Sequence, residues 1–197
     1  MDASVYEPFF SMVSEVCLNR FDEDRDVDLA ALLLEVLDLQ GLPMHCPVHH
    51  YIVPAVLLTV CRKKQGLQRQ LLEAELDEAL LRARNVLGGF CGLYGTCGAA
   101  VGLGIFWSII TDSNPLSVRT WGFANQATGK ALLKLAEYGG PRCCKRVTWL
   151  TVSGAVAQIN NLLDVFIPDV ANMSCHFHEN NKECQKKACP FYPKEGK

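Results

Sequence analysis

The chain has 197 residues, 49% of them apolar and 20% charged, with a formal net charge of −2. These values exclude an intrinsically disordered polypeptide and allow one domain with a genuine hydrophobic core, with or without a small appendage. The lack of a basic excess argues against a nucleic-acid partner.

Helical periodicity dominates from the start. Val5, Tyr6, Phe9, Phe10, Val13, Val16 and Cys17 recur at spacings of one, three and four, the buried stripe of an amphipathic helix. Asp28 is placed to cap a second helix over 29 to about 39, closed by Gly41 and Pro43. A third runs from 47 to about 62 with a kink expected at Pro54. A fourth carries Leu67, Leu71, Leu72, Leu76, Leu80 and Leu87 on one face and Glu73, Glu75, Glu78, Arg82 and Arg84 on others, ending at Gly88-Gly89. After a glycine-rich loop a fifth spans 98–110. Asn114-Pro115 signals the start of a sixth, which ends at Gly139-Gly140, and Pro141 opens a seventh that reaches about 163. No segment alternates with period two, so the expected class is all-α: a single helical domain of about seven helices over 1–171. The remaining segment, 172–197, is a Cys/His-rich tail with few apolar residues, expected to be either disordered or held by a metal.

The uncharged run over 90–111 is long enough to span a bilayer. It contains Gly92, Gly95, Gly98, Gly102 and Gly104 and lacks flanking basic clusters, so a buried helix behind a glycine loop is expected, with no membrane association. The first residues show no basic n-region, apolar stretch or cleavage site, which reads as a cytoplasmic protein. In that reducing setting ten cysteines, about twice ordinary usage, serve metal binding, redox chemistry or packing rather than disulfides.

The positions of those cysteines are the main functional signal. Cys46 precedes Pro47 at a helix start, Cys97 precedes the helix over 98–110, and Cys143 and Cys144 follow Pro141. Helix N-termini offer free N–H groups and the positive end of the macrodipole, which favour thiolates and anions. A single convergent site built from Cys46, Cys91, Cys97, Cys143 and Cys144 is therefore expected, while Cys17 and Cys61 read as core residues. Arg142, Lys145 and Arg146 would neutralise an anionic centre or receive a small anionic substrate. His49 and His50, three and four positions after Cys46, suit ligation or proton transfer. The block from Gly88 to Gly98 lacks both G-x-G-x-x-G and a P-loop lysine. Gly95 and Gly98 instead suit a backbone that approaches a cluster closely.

In the tail, Cys175, Cys184 and Cys189 with His178 make a plausible metal count, for zinc or an iron–sulfur cluster. Asp22, Asp24, Asp26 and Asp28 alternate like a calcium loop but lack its glycine and terminal glutamate. No hydrolase elbow surrounds Ser153.

His45-Cys46-Pro47-Val48-His49-His50-Tyr51, the Gly88 to Gly104 block and Gly139-Gly140-Pro141-Arg142-Cys143-Cys144-Lys145-Arg146 together resemble an uncharacterised group of bacterial and archaeal cysteine-rich domains. Cys97-Gly98-Ala99-Ala100-Val101-Gly102 is more weakly similar to the redox-active C-GCAxxG-C-C family, without the cysteine after Gly98. That similarity implies a helical fold and a redox centre. The leading expectation is an iron–sulfur protein, with a 4Fe-4S cluster ahead of zinc, working with an electron-transfer or sulfur-transfer partner. The alternatives are a thiol enzyme using Cys143 or Cys144 with His49 or His50 as acid and base, and a zinc-stapled interaction module.

Overall fold

The computed structural model describes residues 3–170 and 173–194, and among them the chain is all-α, without a strand. Eight α-helices follow in order: α1 Glu7–Asp22, α2 Leu29–Leu37, α3 Val48–Lys64, α4 Arg69–Arg84, α5 Phe90–Leu93, α6 Gly98–Ile110, α7 Trp121–Ala136 and α8 Cys144–Leu162. Short 3₁₀ turns occupy Ala3–Tyr6, His178–Asn180 and Lys186–Ala188. The expected boundary between residues 171 and 172 lies outside the described residues.

The third helix is the axis of the fold. From Tyr51 to Cys61 every side chain of α3 is buried, as expected of a helix apolar on all sides. It passes through Pro54 without interruption and packs against α1, α2, α4, α6 and α8. Against α3 lies α6, which is apolar but for Ser108 and sits between α3 and α7. Glycines set that close approach. A methyl on Gly102 would fall 2.4 Å from the His50 carbonyl oxygen, and one on Gly104 would fall 2.3 Å from Thr128 Oγ1.

Local signals explain most boundaries. Asp28 caps α2 by accepting from the Ala31 N–H at 2.7 Å, and α6 spans the residues expected of it. Asn114-Pro115 does not begin a helix. Asn114 Oδ1 accepts from the Leu116 N–H and Ser117 Oγ accepts from the Asn114 N–H, closing a turn, and α7 starts seven residues after Asn114 at Trp121. The fourth helix buries Leu72, Glu75, Leu76, Ala79 and Ala83, while Leu67, Leu71 and Leu87 remain exposed. Glu75 is buried because Arg62 of α3 meets it, Nε donating to Oε2 at 2.8 Å.

Residues 173–194 lie against this helical body. Phe177 and Phe191 are buried around Trp149 of α8, with ring centroids 6.4 and 4.9 Å from it. No helix among the described residues is long and apolar enough to cross a membrane.

The packing of α6 on α3 yields a test. Gly102→Ala sets a methyl against a backbone carbonyl that cannot rotate aside, and should lower unfolding free energy by about 1–3 kcal/mol in denaturant titration. Gly92→Ala, where the methyl meets open space, should stay within about 0.5 kcal/mol of the parent.

Candidate metal and thiol sites

A cavity of about 760 Å³ opens where the starts of α3, α6 and α8 meet. The N-terminus of α3 brings Cys46, His49 and His50; α5 brings Cys91; Cys97 is the N-cap of α6; Cys144 is the first residue of α8. Leu132, Leu135 and Ala136 of α7 close one wall. Glycine backbone at 88, 89, 92, 95, 98, 139 and 140 lines much of the rest, with Arg142 and Arg146 beside it.

Two histidines are fixed by their outer nitrogens. His50 Nδ1 lies 2.9 Å from the Val86 carbonyl, which can only accept, so Nδ1 carries the proton and Nε2 presents a lone pair. The ring lies over Gly98, where a methyl would fall 2.2 Å from its Cδ2. Gly98 is thus a glycine for the sake of His50. Gly95 has a different reason, a φ of +65° in the turn leading to Cys97. His49 Nδ1 donates to the Cys46 carbonyl at 3.2 Å and lies 3.4 Å from Cys46 Sγ, while its Nε2 is buried with no partner.

Cys143 does not share this cavity. It is the N-cap of α8 and lines a second, smaller pocket of about 20 Å³ with Cys175, Cys184, Cys189 and His178. Of the five cysteines expected to converge, Cys143 thus lies apart, while Cys144 lines the cavity. Successive residues at a helix start diverge by about 100°, and α8 leaves its core in the position that splits them. Lys145, expected at the anionic site, does not line the cavity either. It is buried, with Nζ donating to the Leu37 carbonyl and lying 4.5 Å from the centroid of Phe177. Cys17 and Cys61 are core residues, as expected.

One lining residue escapes sequence reasoning. His45 Nε2 is 3.3 Å from both Asn181 Oδ1 and Glu183 Oε2, and its Nδ1 is buried without a partner. Only its place beside Cys46 hinted at a role. Among the described residues, no group of three or more His, Cys, Asp or Glu side chains is placed to hold a metal ion.

Residues 13–192 match the model of a family of unknown function, DUF5714. The chain belongs to that family. The match agrees with the resemblance to an uncharacterised cysteine-rich group, whereas the similarity to the C-GCAxxG-C-C family finds no counterpart. No curated protein and no solved structure matches the chain.

Electrostatics of the cavity follow from burial. Burial pushes the thiols of Cys46 and Cys97 up, against backbone N–H groups of Val48 and His49 on the first and of Ala99 and Ala100 on the second. Cys144 is pushed up to about 12 by burial, with the charge of Arg142 opposing. Burial also holds His50 below, and His49 well below, the usual histidine value. Without a cation these thiols are therefore protonated and the imidazoles neutral near pH 7; a bound metal ion would ionise the thiols.

The Gly98–His50 contact is directly testable. Gly98→Ala should expel the imidazole from its place beside α6 and break the hydrogen bond to Val86. In metal-free protein, NMR titration should then show the His50 pKa rising toward the ordinary value, with that of His49 unmoved.

Proposed function

We propose that this protein binds an iron–sulfur cluster through Cys46, Cys91, Cys97 and Cys144 and uses it for redox or sulfur-handling chemistry. The observation that carries this reading is convergence. Four cysteines from four separate segments line one cavity, and three of them stand at helix starts. Backbone N–H groups aimed at Cys46 and Cys97 are the contacts that stabilise cluster thiolates and tune their potential. The volume admits a 4Fe-4S cluster together with a small ligand, more space than a zinc ion needs. Glycine backbone allows close approach, and Arg142 supplies positive charge for an anionic centre or substrate. The lone pair of His50 Nε2 offers a proton acceptor beside it.

Burial favours this over the thiol-enzyme reading. A nucleophilic cysteine needs a lowered pKa, whereas Cys144 is pushed up to about 12. Cysteines buried together in this way are better suited to a metal centre that supplies the compensating positive charge. An electron-transfer or sulfur-transfer protein in the cytoplasm would be the partner.

Anaerobic purification followed by iron and sulfide analysis and a visible spectrum tests the proposal. The expected protein is brown, with about four irons and four sulfides per chain and broad sulfur-to-iron absorption. Cys97→Ser and Cys144→Ser should each lose most of that absorption, while Cys17→Ala should keep it. A colourless protein holding zinc in the cavity would establish the zinc alternative instead. Folded protein that stays metal-free after anaerobic reconstitution would return the cavity to thiol chemistry.

A further inference from the structure

Beyond the four cavity cysteines and the two in the core, four remain. Cys143, Cys175, Cys184 and Cys189 line the second pocket, and its volume of about 20 Å³ is close to that of one water-sized sphere. A cubane of eight inorganic atoms does not fit there, whereas a single ion does. Four thiols lining one small pocket is the donor count of a closed tetrahedral site.

The backbone around these cysteines is arranged to stabilise thiolates. The Lys186 N–H lies 3.3 Å from Cys184 Sγ, an approach made with Lys186 at φ +48°. The Phe177 N–H is directed at Cys175, and the Arg146 N–H at Cys143. The Cys175 N–H donates to the Phe191 carbonyl at 2.7 Å, joining the two ends of the segment that carries three of the cysteines.

Charge supplies the independent argument. Arg146 is 4% exposed and Lys145 2% exposed, yet among the described residues neither forms an ion pair with a carboxylate. Arg146 lines the pocket and donates to neutral acceptors: Gln185 Oε1 and the carbonyls of Gly139 and Pro141. Its Nε is buried with no partner. Asp38 acts on Lys145 only from beyond ion-pair distance, and buried cations without a contacting counter-charge are costly. A divalent ion held by four thiolates is a dianion, which answers both cations.

We propose that Cys143, Cys175, Cys184 and Cys189 bind one zinc ion as a tetrahedral tetrathiolate that fastens residues 173–194 to the start of α8, with Arg146 and Lys145 as its buried counter-charges. Binding releases the thiol protons and closes the four sulfurs on the ion at about 2.3 Å. His178, whose Nδ1 is buried without a partner in the same pocket, stays outside the ligand set. Three thiolates and a neutral imidazole would leave the site one negative charge short of the two cations. This centre does not depend on the cavity reading.

The test loads chelator-stripped full-length protein with zinc alone or cobalt(II) alone. One tightly held zinc per chain is expected, and cobalt should give the intense visible bands of tetrahedral thiolate coordination. Cys143→Ser, Cys175→Ser and Cys184→Ser should each lose that equivalent, while Cys144→Ser and His178→Gln keep it. Iron and sulfide content reports the cavity separately, so a failure there leaves the zinc count intact. Should the serine variants fail to fold, trypsin digestion of the parent protein decides. Zinc should slow cleavage after Lys182, Lys186 and Lys187 at least about tenfold, and chelation should restore it. The proposal is overturned by absence of tight zinc in the parent protein, by zinc retained in Cys143→Ser but lost in His178→Gln, or by no effect of zinc on cleavage. Iron and sulfide persisting when all four cavity cysteines are replaced would likewise overturn a single-ion site.

Discussion

The first turn of α8 is the constraint on which both cysteine sets depend. Cys143, Cys144, Lys145 and Arg146 are consecutive, yet Cys143 lines the small pocket, Cys144 lines the large cavity and Arg146 lines both. A helix imposes this division, because each step along it turns the side chain by about 100°. What fixes the direction is the rest of α8. Trp149, Val152, Ala155 and Ile159 are buried in the common core, and α8 packs against α3, α6 and α7. The helix cannot rotate about its axis without pulling those side chains out. The approach to the turn is held as well, since Gly139 and Pro141 accept from the same Arg146 side chain.

Burial acts on the charged groups of this turn in opposite directions. It pushes the thiol of Cys144 up to about 12 and that of Cys175 up to about 11, and draws the Lys145 ammonium down to about 8. Without a bound cation the cysteines stay neutral here, and burial holds the lysine below its ordinary value. Placed together, each charged form stabilises the other, and the cysteines around Lys145 are among the groups that raise its pKa. Lys145 and Arg146 are thus buried beside cysteines with no carboxylate among the described residues in ion-pair contact, Asp38 acting on Lys145 from further off, the setting the proposed anionic centres would use.

Much of the architecture was legible because it is written in short-range chemistry. Asp28 is a side-chain cap wherever a helix follows it, and the apolar run after Cys97 has one way to be buried. Asn114-Pro115 misled because an Asx turn and a helix start share the same opening residues, and only tertiary packing decides between them. The leucine stripe of α4 misled for another reason. Its inner face meets α1, α3 and α6 closely, so Ala79 and Ala83 fit where larger residues would not, and Glu75 is admitted by Arg62. The cysteine positions at helix starts were readable, and adjacent helix positions diverge by about 100°, but which of Cys143 and Cys144 faces the cavity was not. It depends on the azimuth of α8 and on where residues 173–194 return, a contact separated from Cys143 by more than thirty residues of chain. Phe177 and Phe191 were too few to mark that return, although Trp149 accepts both.

The C-terminal segment is part of the cavity's support as well as the home of three cysteines. Asn181 and Glu183 engage His45, which lines the cavity. Gln185 Nε2 donates to the Tyr138 and Gly140 carbonyls, at 3.2 and 2.5 Å, and its Oε1 accepts from Arg146. Gly140 and Arg146 also line the cavity. Whatever orders this segment therefore sets the position of three residues around the larger site. Phe177 and Phe191, with Met173, Cys175 and Cys189 partly buried beside them, hold the segment to the core through apolar contact. The proposed metal–thiolate bonds would add to that contact. Under that proposal the shape of the cavity would respond to occupancy of the small pocket through Arg146, Gln185 and His45.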